Sequence, residues 1–284
     1  MRLGISSPLA HDNAEEWARH MKEAGCGCVN FPIDYTQPDS MIADYADAAK
    51  KYGLVIAEVG IWRNVFAIDT AEREEARKRA VGQFRMADEI GARCCVNIAG
   101  TYGGTQWDGG YKDNYSVQCR NATIRYIQDL IDTVKPTRTH YSVEPMPWML
   151  PDGPDECLQL IHDVDREAMA IHLDVVNMIN CPKRYFFSDD FLDECFDKLG
   201  EFIESCHLKD IRLRPELTFQ LEETFCGNGT LNIEKYMRLI DQYDQNMPVI
   251  IEHLTTDQEY RDSLAYVRER LIRADIPITT GTES

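Results

Sequence analysis

The feature that most constrains this chain is a period: a short β-like run followed by a helical stretch, eight times over and without a break. The runs fall at residues 2–5, 28–32, 54–59, 93–98, 140–145, 168–174, 202–207 and 248–252. Helical stretches separate them, and their ends carry recognisable signals. Asn13, Asp39, Asp69 with Glu72, Ser188, and Thr256 with Glu259 stand where helix N-caps are needed. Gly25, Gly53, Gly91 and Gly200 stand where helices should stop. Eight strands alternating with helices predict the α/β class and a (β/α)8 TIM barrel, with one domain over residues 1–284. A length of 284 residues suits one such barrel, which typically needs about 250. A doubly wound sheet would place a Gly-rich dinucleotide turn after its first strand, and Ser6-Ser7-Pro8-Leu9 is no such turn.

Charge narrows the partners. Thirty basic against 48 acidic residues give a formal net charge of −18, a field that repels nucleic acid and anionic membrane. No apolar run approaches the roughly 18 residues that span a bilayer. Met1-Arg2-Leu3-Gly4-Ile5-Ser6 reaches a turn too early for a signal-peptide core, so a cytoplasmic location is expected. The ten cysteines lack zinc-ribbon spacing and are expected to be reduced, mostly buried, small hydrophobes.

In a barrel of this kind the C-terminal strand ends surround the active site. Those ends carry Glu144 on the fifth strand, Asp174 on the sixth, His207 on the seventh and Glu252 on the eighth. Each carboxylate follows an apolar stretch, where an uncompensated charge is costly. Three converging carboxylates also repel one another, and a divalent cation relieves both problems. Oxygen-rich ligation with one imidazole suits Mn2+, or Mg2+ or Co2+, better than a soft-ligand metal.

Four motifs extend this reading: Glu144-Pro145, His172-Leu173-Asp174, His207-Leu208-Lys209-Asp210 and Ile251-Glu252-His253. Together with Gly227-Asn228-Gly229 they resemble the xylose isomerase-like TIM barrel family, the sugar phosphate isomerases/epimerases that include ketose 3-epimerases and inosose-processing enzymes. The resemblance covers essentially the whole chain. It implies a metal held by Glu144, Asp174, His207 and Glu252, with Glu144 and Glu252 as the acid/base pair that removes and returns a proton beside a carbonyl through a metal-stabilised enediolate. It also shows departures. Asn177 stands where the 3-epimerases commonly have His, and Leu150 where they often have Glu, which implies a substrate other than a standard ketohexose.

Further substrate contacts are expected from Asn177, Arg212, Trp148, Trp62 and His11, with Trp107 beside them in a loop and Arg214 beside Arg212. His172, two residues before Asp174, points to the same side as that residue and is expected behind the metal ligands. His253 is expected to point away from Glu252. The segment 100–105 lacks a P-loop ending and reads as an active-site loop.

The expected activity is a metal-dependent isomerase or epimerase acting on a small sugar or sugar derivative. The alternative is a lyase or dehydratase on the same scaffold. A DNA-repair endonuclease would need more histidines and a basic face, and a non-catalytic sugar-binding barrel would need the metal without proton transfer. A homo-oligomer, dimer or tetramer, is compatible with exposed barrel helices.

Overall fold

The structure is a computed structural model that describes residues 1–280. Eight parallel strands form the barrel: β1 (Arg2–Ile5), β2 (Cys28–Asn30), β3 (Val55–Gly60), β4 (Cys94–Ile98), β5 (His140–Glu144), β6 (Met169–Leu173), β7 (Ile203–Leu208) and, after a hairpin of β8 (Asp210–Leu213) and β9 (Leu221–Thr224), β10 (Pro248–Ile251). Their order is β1-β10-β7-β6-β5-β4-β3-β2, which puts the first and second strands at the two ends of the sheet. Those ends meet. The Gly27 N–H donates to the Leu3 carbonyl at 2.7 Å. Gly4 makes the approach possible, because a Cβ there would lie 2.3 Å from the Cys28 carbonyl oxygen.

The principal helices of the outer ring are α1 (Ala14–Glu23), α2 (Asp39–Lys51), α3 (Thr70–Ile90), α4 (Val117–Val134), α5 (Pro154–Val164), α8 (Ser188–Leu199), α9 (Ile233–Tyr243) and α10 (Asp257–Arg273). Two short ones, α6 (Val175–Met178) and α7 (Pro182–Phe186), lie in the chain between β6 and α8. The main apolar core lies between strands and helices, where residues such as Trp17, Phe84, Tyr141, Phe196 and Tyr236 are buried. Cys28, Ala57 and Ile250 form a separate buried cluster. Strands buried on both faces read as continuous apolar runs, which is why they were legible.

Helix signals held in most places. Asn13 accepts from the Glu16 N–H, Asp69 from Glu72, and Thr256 with Glu259 closes a full capping box. Gly91 adopts the left-handed conformation at φ 69°. Three expectations need correction. Asp39 is the first helical residue after Pro38 rather than a cap, and Ser188 likewise opens α8 with no capping bond. Gly200 is right-handed, at φ −49°, because the chain tightens there into a 3-10 turn instead of reversing. The helix before the last barrel strand starts at Ile233, where Asn232 caps the Lys235 N–H.

The hairpin was not anticipated. Its short strands pair Arg212 with Glu222 and Ile211 with Glu223, a polar alternation that reads as loop. One carboxylate closes its base. Asp210 accepts from the backbone N–H groups of Ile211 and Leu231 on one oxygen, and from those of Gly227 and Gly229 on the other, all between 2.8 and 3.0 Å. The Gly227-Asn228-Gly229 turn follows from this. Gly227 sits at φ 95°, and a Cβ on Gly229 would stand 2.3 Å from an Asp210 oxygen.

All ten cysteines are free, and only Cys181 is not fully buried. Among the described residues no helix is long and apolar enough to cross a membrane.

Candidate metal centre and substrate cavity

The four strand-end residues converge. Ligand atoms of Glu144, Asp174, His207 and Glu252 all lie within 4.8 Å of one another, and all four side chains are buried. His207 Nδ1 is central, 3.1 Å from Glu144 Oε1, 3.0 Å from Glu252 Oε2 and 3.9 Å from Asp174 Oδ2. Asp174 reaches its place by leaving the strand: it caps α6, accepting from the Asn177 N–H at 3.0 Å. That cap also delivers the Asn177 side chain, which donates to Glu144 Oε1 at 3.1 Å.

A lysine completes the arrangement. Lys209 is fully buried, and its Nζ lies 2.8 Å from Asp174 Oδ2, 2.7 Å from Glu252 Oε1 and 2.9 Å from Glu223 Oε1. It also donates to Asn177 Oδ1 at 3.0 Å. The sequence motif His207-Leu208-Lys209-Asp210 contains it, but no role was expected of it. The available signal was spacing, since a residue two after His207 on an extended chain faces the same side. Glu58 was passed over too. It lies in the middle of β3, 1% exposed, with Oε2 3.3 Å from His172 Nδ1 and 3.6 Å from His207 Nε2. A carboxylate inside an apolar run was its signal.

The two glutamates differ electrostatically. Burial pushes the Glu144 carboxyl up to about 7. Burial acts on Glu252 as well, but the charges of His207 and Lys209 outweigh it and hold Glu252 well below the usual carboxylate range. His207 and Lys209 are raised in turn: burial opposes their charge, and the surrounding carboxylates outweigh it. His172 moves the other way, since burial keeps its ring neutral.

The donor set fits a hard divalent cation. Three carboxylates and one imidazole present oxygen and nitrogen donors, and Asp174 Oδ2 has no aligned hydrogen bond, its contact with Lys209 being an ion pair only. With Lys209 supplying one positive charge, a divalent ion balances the three carboxylates.

Above the cluster is a cavity of about 410 Å³. Trp62, Trp107 and Trp148 line it together with Ile98, Met146 and Pro147, and so do Glu58, Glu144, Asn177, His207 and Glu252. Trp62 folds back at a strained φ of 47°, over Gly60, where a Cβ would lie 1.9 Å from the indole nitrogen. Its ring lies nearly parallel to that of His207, 6.5 Å away. Trp148 is held from outside by a hydrogen bond from its indole N–H to the Asp108 carbonyl at 2.6 Å. A groove of about 650 Å³ between α3 and α4 is larger, but its lining, which includes Phe66, Arg73, Arg77 and Tyr126, holds none of the converging carboxylates.

Of the expected substrate contacts, Asn177, Trp62 and Trp148 line the cavity, and three others do not. Arg212 is ion-paired with Glu222 across the hairpin, and Arg214 with Glu216 and Glu222, because the partner strand supplies acids opposite them. His11 is turned aside: its Nδ1 is 2.8 Å from the Leu9 carbonyl, and its ring is edge-on to Tyr45. His172 is wholly buried under the cluster, against Ser205, Glu58 and His207. His253 corrects the opposite expectation. It lines the cavity at a positive φ of 58°, with Nε2 3.4 Å from Glu252 Oε2 and Nδ1 2.7 Å from Glu223 Oε2.

The model of the xylose isomerase-like TIM barrel family matches residues 18–270. No curated protein matches the chain in sequence. Solved structures similar to it include a 3-keto-D-glucoside 4-epimerase from E. coli, 19% identical, with a TM-score of 0.68 over 95% of this chain and 99% of the other. The probable 3-DHS dehydratase of Bacillus anthracis is 16% identical, with a TM-score of 0.71 over 96% and 99%. A xylose isomerase-like TIM barrel protein from Mycobacterium smegmatis, in complex with magnesium, is 18% identical, with a TM-score of 0.66 over 95% and 94%. At these identities the likeness is one of fold.

Proposed function

Because the chain belongs to the xylose isomerase-like TIM barrel family, we propose that it is a divalent-metal-dependent isomerase or epimerase of a sugar or sugar derivative. The observation that carries this reading is the convergence of Glu144, Asp174, His207 and Glu252 within 4.8 Å at the barrel mouth. These four would hold Mn2+, Mg2+ or Co2+, which when bound supplies positive charge to polarise a substrate carbonyl. Glu144 and Glu252 are the acid/base pair, one taking the proton from the carbon beside that carbonyl and the other returning one on the opposite face. Asn177, bridging Glu144 and Lys209, is placed to hydrogen-bond a substrate hydroxyl but cannot itself exchange a proton near neutral pH. The tryptophans exclude water from the reacting end.

A second reading, elimination, is favoured by one observation. His253 faces the cavity, and its bond to Glu223 raises its affinity for a proton. A protonated imidazole beside Glu252 is a donor for a departing hydroxyl, and would make the enzyme a dehydratase or lyase. Incubation with Mn2+ and a ketose panel in D2O separates the two. Deuterium uptake at the carbon beside the carbonyl without loss of water supports epimerisation, and a product lighter by one water supports elimination. If no substrate gives either, the catalytic reading fails.

A further inference from the structure

The charges on the cavity wall carry information about the substrate that the metal ligands do not. Once Lys209 and a divalent ion have matched Glu144, Asp174 and Glu252, the wall still carries Glu58, Asp108 and Glu223. No lysine or arginine lines it, among the described residues. The nearby candidates for anion binding are committed elsewhere, as Arg212 and Arg214 are paired within the hairpin. His253, on the same wall, is already bonded to Glu223. A phosphate or carboxylate entering this space would meet like charge and find no guanidinium to receive it.

The apolar part of the wall points the same way. Two of its tryptophans, Trp107 and Trp148, stand at the rim, 36% and 43% exposed. Trp148 is fixed there by the Asp108 carbonyl and packs on Gly110, where a Cβ would lie 3.2 Å from the indole. A rigid, half-wet indole at a cavity mouth is a platform for an apolar face, and a substrate made only of hydroxyl groups leaves it uncovered.

Resting on the reading that this cavity is the catalytic site, we infer that its substrate is an uncharged sugar bearing an apolar group of about the size of an aromatic ring, with the sugar over the metal cluster and the apolar group against Trp107 and Trp148. Phosphorylated and carboxylated sugars are rejected.

The test is binding to the full chain loaded with Mn2+, read by tryptophan fluorescence. Three of the four tryptophans line the cavity, and the fourth, Trp17, is fully buried in α1. The probes are methyl β-D-glucoside, phenyl β-D-glucoside and methyl β-D-glucoside 6-phosphate. The phenyl compound should bind at least tenfold tighter than the methyl one, and the phosphate ester at least tenfold weaker. Trp148→Ala should remove most of the phenyl advantage, and Asp108→Asn should improve phosphate ester binding a few-fold. A phosphate ester that binds as tightly as its parent overturns the inference. So does a missing response to both neutral glycosides, or a phenyl advantage that survives Trp148→Ala. Binding needs no turnover. A protein that binds neutral glycosides but catalyses no proton exchange would sink the enzymatic proposal and leave this one standing.

Discussion

The barrel mouth has two unlike halves. Along β5, β6, β7 and β10 each strand ends in a charged group, and these groups hold one another through His207 and Lys209. Along β1 to β4 the strand-end lining is Ser6, Asn30, Trp62 and Ile98, with Glu58 set lower and Asp108 in the loop after β4. The charged half is built by single residues at equivalent strand ends. The other is built by backbone: a left-handed Trp62 lying over Gly60, and a loop that pins Trp148. The difference suggests a division of labour, with proton transfer on one side and recognition on the other.

The largest effect expected from breaking that division is on the charged side. Glu144→Gln and Glu252→Gln should each lower kcat by about 10²- to 10⁴-fold, with circular dichroism and Tm close to wild type. Activity within tenfold of wild type in either variant would remove the acid/base assignment.

Lys209→Met comes next. It strips the buried cation from Asp174, Glu252 and Glu223, and breaking a buried pair in this way costs about 3–5 kcal/mol. Urea unfolding should show that loss in the presence of a chelator, and added Mn2+ should recover part of it. An unchanged midpoint would mean that Lys209 is not the counterion described.

The metal's dependence on pH is a third way to sharpen the comparison. Glu144, raised to about 7, and His207, raised above its ordinary range, both hold protons that a metal must displace. Affinity should therefore fall as pH drops from 8 to 6, by about tenfold per pH unit for each proton released. Calorimetry in buffers of different ionisation enthalpy counts those protons, and a pH-independent affinity would contradict the electrostatics. On the recognition side, Trp62→Ala should raise KM by about tenfold with little change in kcat, in keeping with the 1–3 kcal/mol a hydrophobic pocket contact supplies. Arg212→Ala, away from the cavity, should change both constants by less than about twofold, and a larger change would return the hairpin arginines to the site.

Which parts were legible follows from the same contrast. Eight strand-helix units could be read because strands buried on both faces are continuous apolar runs, and the ligands because a charge after such a run stands out. Lys209 and Glu58 obeyed the same logic but were hidden by position, one just past a strand-end histidine and the other in mid-strand. The hairpin, with Arg and Glu opposed across it, resembles any polar surface segment until its ends are seen to meet. Arg212 and His11 lie close to the mouth in sequence, yet local partners turned both of them aside. A linear reading orders residues along the chain and cannot see those partners.

Asp210 gathers four backbone N–H groups at the point where the chain leaves β7 and the point where it returns toward α9. Both ends of residues 211–229 are thus fastened at one knot, which makes the hairpin one unit. Glu223, which meets both Lys209 and His253, travels with it. A substitution in this hairpin that removes Glu223 therefore reaches the cavity and the Lys209 beneath it from outside the barrel strands.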